Sequence, residues 1–166
     1  IISDNVSGNY TVSPAAANIV GRILDPSGNA LPNVNNAWTG VSLQKLQPDG
    51  INWNWTNTPA QLNSDAFFSM RVEENGTFRV RLEPYGRSSV SITYSKPFTV
   101  TDFNTLNKNL GDITMDSPSL KLRVRGANDS ADRNWVGVEV RVNGQWIDWM
   151  NTGPAGIATL KLQNPG

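Results

Sequence analysis

The sequence predicts an all-β protein of two sandwich modules in tandem, the second lacking its closing strand. Three observations carry that prediction: strict two-residue alternation, closely spaced turn signals and a partial internal repeat. Phe78, Val80 and Leu82 alternate with Thr77, Arg79 and Arg81, and Val90, Ile92 and Tyr94 alternate with Ser89, Ser91 and Thr93. Leu120, Leu122 and Val124 alternate with Lys121, Arg123 and Arg125, and Val136, Val138, Val140 and Val142 with Gly137, Glu139 and Arg141. Period two with one polar face is what a half-buried strand requires, because successive side chains point to opposite faces of a sheet. No stretch shows a helical period. Pro26-Ser27-Gly28-Asn29, Asn75-Gly76 and Asn143-Gly144 break the runs where the chain must turn.

The repeat sets the organisation. Gly76-Thr-Phe-Arg-Val-Arg-Leu82 is echoed by Gly156-Ile-Ala-Thr-Leu-Lys-Leu162. Asn18 to Leu24, with Val41 to Lys45, is paralleled by Leu120 to Arg125 with Val136 to Val142. The chain therefore divides into an N-terminal extension (1–13), a first module (14–116) and a second module (117–166), joined at Asp116-Ser117-Pro118. The first module carries an insertion, residues 47–66, rich in Asn, Trp and Pro.

The segment Gly21-Arg-Ile-Leu-Asp25-Pro-Ser-Gly28-Asn-Ala-Leu-Pro32-Asn-Val34 resembles the opening of carboxypeptidase regulatory-like (transthyretin-like) modules: a strand, a D-x-x-G turn, a proline and a second strand. Asn75-Gly76-Thr-Phe78 with Leu82 is similar to their penultimate hairpin, and Leu110-Gly-Asp-Ile-Thr-Met115 to their closing strand. The resemblance covers 18–115 well and 119–166 in part. It implies Ig-like, transthyretin-like sandwiches that serve as non-catalytic spacers and adhesive units in bacterial and archaeal surface proteins.

In the first module the hairpin ending at Gly86 leads into a core strand, Val90 to Tyr94; in the second, the equivalent strand is due at Gly166. A sandwich without that strand exposes an edge and part of its core. Gly8 to Val12 has the form of such a strand, with Tyr10 and Val12 on one face and Asn9 and Thr11 on the other. Residues 1–13 are thus expected to be either the tail of a preceding repeat or a donor strand (Asn9, Tyr10, Thr11, Val12) completing the second module of a neighbouring copy. Strand addition uses main-chain hydrogen bonds for affinity and alternate side chains for register, and a head-to-tail contact propagates. Ile1 in place of Met implies a processed mature form or an excised fragment.

Composition narrows the function. The 14 basic and 14 acidic residues balance, so the basic excess that nucleic acid demands is missing. The apolar runs are too short for insertion into a membrane. With no His and no Cys the standard nucleophile–base pairs are missing, and no enzyme is expected. Asn5, Asn9, Asn54, Asn75 and Asn128 begin N-x-S/T sequons, candidate glycosylation sites in an extracellular setting. Asn128, Asp129 and Asp132 are the best oxygen cluster for Ca²⁺, although a capped turn is the preferred account of them, and no other cofactor or metal is expected. Lys45, in phase with Val41 and Leu43, is the one lysine placed to enter a core, where snorkelling at a strand end is the simpler expectation than an isopeptide bond.

Trp53 and Trp55 share a face, whereas alternation puts Trp146 and Trp149 on opposite faces. The rings are expected to cover the sandwich or fill an intersubunit contact, with a glycan platform on Trp53 and Trp55 as the alternative. Together these readings describe a non-enzymatic extracellular structural protein, a cell-surface or filament subunit. Its partners would be copies of itself or neighbouring modules. The alternatives are a spacer of a larger surface adhesin and a glycan-binding module.

Overall fold

The computed structural model describes residues 17–128 and 131–161, with Val142 described by its backbone alone. The fold is all-β. In the N-terminal part, β1 (Ile19–Leu24), β2 (Trp38–Leu46), β3 (Trp53–Trp55), β4 (Ala60–Leu62), β5 (Phe67–Met70), β6 (Gly76–Tyr85), β7 (Thr93–Tyr94), β8 (Phe98–Val100) and β9 (Lys108–Thr114) build two sheets. One has the order β4-β5-β1-β9, with β9 parallel to β1. The other has the order β3-β2-β6-β7, with β8 also pairing β6. Between them lies a sandwich core of Ile19, Ile23, Leu43, Phe68, Met70, Phe78, Val80, Leu82, Ile113 and Met115. The alternation Phe78, Val80, Leu82 is therefore the inner face of β6, as the period predicts. The expected insertion at 47–66 is not an appendage: it supplies β3 to one sheet and β4 to the other.

Four strands follow: β10 (Leu120–Arg123), β11 (Gly137–Val142), β12 (Gln145–Asn151) and β13 (Ile157–Leu160). They form two antiparallel pairs, β10-β13 and β11-β12. A second apolar cluster of Val140, Met150, Ala158 and Leu160, with Leu120, Leu122 and Val138 against it, lies between these pairs. The β11-β12 turn has positive φ at both Asn143 (50°) and Gly144 (79°), the type I′ geometry that matches strand twist.

The internal repeat is real, but its register differs from the sequence echo. Hydrogen bonds Asn18 N→Met70 O, Ile23 N→Ala66 O, Leu31 N→Ile23 O and Asp25 N→Asn29 O recur as Ser119 N→Leu160 O, Val124 N→Gly156 O, Arg133 N→Val124 O and Gly126 N→Ala131 O, all between 2.8 and 3.1 Å. Ala66 and Gly156 close equivalent turns, each at φ 64°. Strand β13 thus answers β5 and not β6, and β10, β11 and β12 answer β1, β2 and β3. Gly156 to Lys161 is the counterpart of Ala66 to Arg71, where Phe68 and Met70 keep the same alternation as Ala158 and Leu160.

Val90 to Tyr94 departs from expectation as well. Only Thr93–Tyr94 is strand, and the apolar side chains divide: Val90 joins the first core, while Ile92 and Tyr94 join the second. The charged face of β6 is not outward either. Arg81 is fully buried, because the C-terminal strands cover this face of the sheet.

Candidate functional site

Two features of the C-terminal strands stand out. The first is an open side. In the N-terminal sandwich β2 is flanked by β3 and β6, and β1 by β5 and β9. Among the described residues, β11 has only β12 and β10 only β13, so the edges without a strand are those that β6 and β9 occupy in the first repeat. The opposite side, at β12 and β13, is sealed by the N-terminal sandwich: Ile92 and Tyr94 enter the second cluster, and Thr159 Oγ1 donates to Val90 O at 2.6 Å.

The backbone polarity of the open edge follows from contacts on the far side of the hairpin. Trp149 O accepts from Arg81 Nη2 at 2.6 Å, and Asn151 N donates to Glu83 Oε1 at 3.1 Å. These groups point away from β11. Their cross-strand partners Glu139 and Gly137 must then point away from β12, because residues opposite one another in an antiparallel ladder bond to each other or both turn outward. The amides of Gly137 and Glu139 face the open edge.

The second feature is the contact between the two parts. On the outer face of the β3-β2-β6-β7 sheet, Arg81 pairs with Glu83 and, at 3.5 Å, with Asp148, whose other oxygen accepts from Tyr94 Oη at 2.8 Å. Burial opposes the charge of Arg81, but Glu83 and then Asp148 outweigh it and raise its pKa. Burial, reinforced by Asp148, raises the phenol of Tyr94, and burial with Glu83 raises that of Tyr85. Trp135 stacks against Trp38 and Tyr85 at centroid distances of 5.4 and 5.9 Å. A partly apolar, partly ionic seam joins the two parts.

Beside the seam lies a cleft of about 310 Å³ lined by Trp53, Trp55, Arg79, Tyr94, Trp146, Trp149 and neighbouring residues. Trp53 and Trp55 share a face, as alternation requires: they stand opposite Leu46 and Gln44 on the covered side of the sheet. Trp146 and Trp149 correct the sequence expectation. Ile147 has no cross-strand partner, and the irregularity sets Trp146 opposite Arg141 and Trp149 opposite Glu139, so both rings belong to one face.

The other predicted residues fall as follows. Asn9, Tyr10, Thr11 and Val12, with Asn5 and Asp129, lie outside the described residues. Asn54, Asn75 and Asn128 are exposed, and Asn75 Oδ1 accepts from Phe103 N at 3.1 Å. Asp132 pairs with Arg123 and Arg125 at 3.3 and 3.4 Å. Among the described residues no group of three or more acidic side chains is placed to hold a metal ion. Lys45 snorkels as expected: its stem runs over Phe78, with the ammonium 5.8 Å from the ring centroid and paired to Glu74. Sequence reasoning missed Arg79, Arg81, Glu83, Tyr94 and Asp148; the signal available was the density of charge on β6 facing an aromatic segment.

Comparison with family models, with curated proteins and with solved structures found no match to this chain.

Proposed function

We propose that this chain is a non-enzymatic extracellular structural protein, a cell-surface or filament subunit that polymerises head-to-tail by strand addition. In this reading residues 8–12 of one copy enter the open side of another copy's C-terminal strands. The observation that carries it is the pair of edges, β10 and β11, that have no partner among the described residues on the side where the first repeat places β9 and β6. A strand added there would gain main-chain bonds from Gly137 and Glu139 and would cover the partly buried Leu122 and Val138. Tyr10 and Val12 would face that cluster, and Asn9 and Thr11 would face out. The resemblance of 18–115 to carboxypeptidase regulatory-like modules of surface proteins belongs to the same proposal.

The test is assembly of the native chain, followed by sedimentation and electron microscopy. Deleting residues 1–13 is expected to leave a soluble monomer with a labile C-terminal part. Val12→Asp is expected to block assembly far more than Thr11→Asp, because only one face of the added strand loses water. Residues 1–13 bound back onto their own chain, or equal effects of the two substitutions, would refute the reading.

A further inference from the structure

The cleft beside the seam is separate from the open edges and has its own chemistry, centred on Arg79. The Arg79 guanidinium lies 4.4 Å from the ring centroid of Trp53 and 4.0 Å from that of Tyr94. Because β3 and β7 stand at opposite ends of the sheet order, the two rings flank the guanidinium from opposite sides. Its Nε donates to Gln44 Oε1 at 2.8 Å, which fixes the orientation of the plane.

Both local carboxylates are taken by the neighbouring arginine: Glu83 and Asp148 pair with Arg81. Among the described residues no carboxylate lies within ion-pair distance of Arg79, and burial lowers its pKa. A guanidinium with covered faces, an anchored Nε and in-plane Nη donors left over suits bidentate recognition of a planar anion. Next to it, Trp55 and Trp146 are 54% and 59% exposed, broad apolar rings at the rim of the same cleft. The cleft volume is at the low end for small-molecule sites, enough for a ring and its substituents but not for a folded segment.

We propose that this cleft binds an acidic sugar unit, a pyranose ring carrying a carboxylate. The carboxylate sits on the Nη edge of Arg79, and the C–H face of the ring packs on Trp55 and Trp146. The alternative of an intersubunit contact at these rings is an outcome of the same experiment.

The experiment is calorimetric titration of the full chain with a galacturonic acid trisaccharide, with the neutral galactose trisaccharide and acetate as controls. The acidic trisaccharide is expected to bind at least tenfold more tightly than either control. Its affinity is expected to fall at least tenfold in Arg79→Gln, in Arg79→Lys (which keeps the charge but loses the fork) and in Trp146→Ala. Trp146 is exposed, so that variant should keep the parent melting temperature and remain informative if the arginine variants fold poorly. Deleting residues 1–13 should leave binding unchanged, which separates this site from assembly. Lack of binding, equal binding of acidic and neutral trisaccharides, or binding indifferent to Trp146→Ala would overturn the proposal. Loss of assembly in Trp146→Ala without any sugar binding would assign the rings to an intersubunit contact instead.

Discussion

Ala66 and Gly156 occupy the same step in two strand successions, each at φ 64° and each accepting a 2.9 Å hydrogen bond, from Ile23 and from Val124. Beyond Ala66 the N-terminal part runs on through β6 and β9, whose Phe78, Val80, Leu82 and Ile113 close the core between the sheets. Beyond Gly156 the described residues reach only β13, and the second cluster draws on Ile92 and Tyr94 from outside its own strands. The contrast separates what makes a repeat from what makes a sandwich. The turn and ladder bonds reproduce in both halves, but closure depends on strands that arrive later in the chain or from elsewhere. Among the described residues the second cluster is held on one side by Ile92 and Tyr94 of the N-terminal part.

Several substitutions press on that contrast. Phe78→Ala should cost roughly 3–5 kcal/mol in urea unfolding, because it empties a position in a core closed on both sides. Leu122→Ala, on the open side, should cost only about 1 kcal/mol in the monomer and more once a strand has been added, since it is only partly buried until then. Equal costs for both in the monomer would mean that the second cluster is already closed.

Arg81→Ala should cost about 3 kcal/mol, because Glu83 and Asp148 would be left buried without a cation. Arg81→Met with Glu83→Gln should recover part of that loss. If Arg81→Ala leaves the urea midpoint unchanged, the seam does not couple the two parts. Gly156→Ala tests the equivalence of the two turns at a finer scale. The backbone tolerates alanine at Ala66, so the conformation itself should cost about 1 kcal/mol. An added Cβ at Gly156 would also meet Asp132 Cβ at 3.0 Å and raise the cost somewhat further.

The smallest effect concerns pH. Hydrogen bonds from the backbone of Asn29, Asn52 and Asn104 hold the carboxyls of Asp25, Asp49 and Asp102 below the ordinary value of 3.8. A folded-state pKa below the unfolded one stabilises the fold above about pH 3.8, and that contribution is lost as pH falls through the lowered values. All three loops belong to the N-terminal sandwich. Asp25→Asn should therefore flatten the acid limb of its melting temperature, read by near-ultraviolet circular dichroism below pH 4. An unchanged acid limb would show that the Asp25 turn does not contribute to it.

The sequence made the inner faces legible because burial alternates with period two, and Phe78, Val80 and Leu82 fall where that period puts them. It misled at Arg81, since alternation separates two faces without saying what covers the second. The sequence echo falls one strand late because a turn with positive φ is ordinarily marked by glycine. Gly76 and Gly156 share their residue type, while the structural counterpart of Gly156 is Ala66. The two exposed tryptophans of β12 escaped for a related reason: a single unpaired residue, Ile147, shifts the face of everything beyond it. The charge cluster that joins Arg81 and Tyr94 to Asp148 depends on contacts between residues 54 or more apart, which no local pattern encodes.

The most direct measurement is amide hydrogen exchange by NMR on the chain lacking residues 1–13, with and without a peptide of those residues. Met150 and Asp148 stand opposite Val138 and Val140, whose amides face β12 and should be protected in both states. Gly137 and Glu139 face the open edge, so their amides should exchange nearly freely alone and at least tenfold more slowly with saturating peptide. If Gly137 and Glu139 are already protected without peptide, or remain unprotected at saturation, the open side is not an acceptor for this strand.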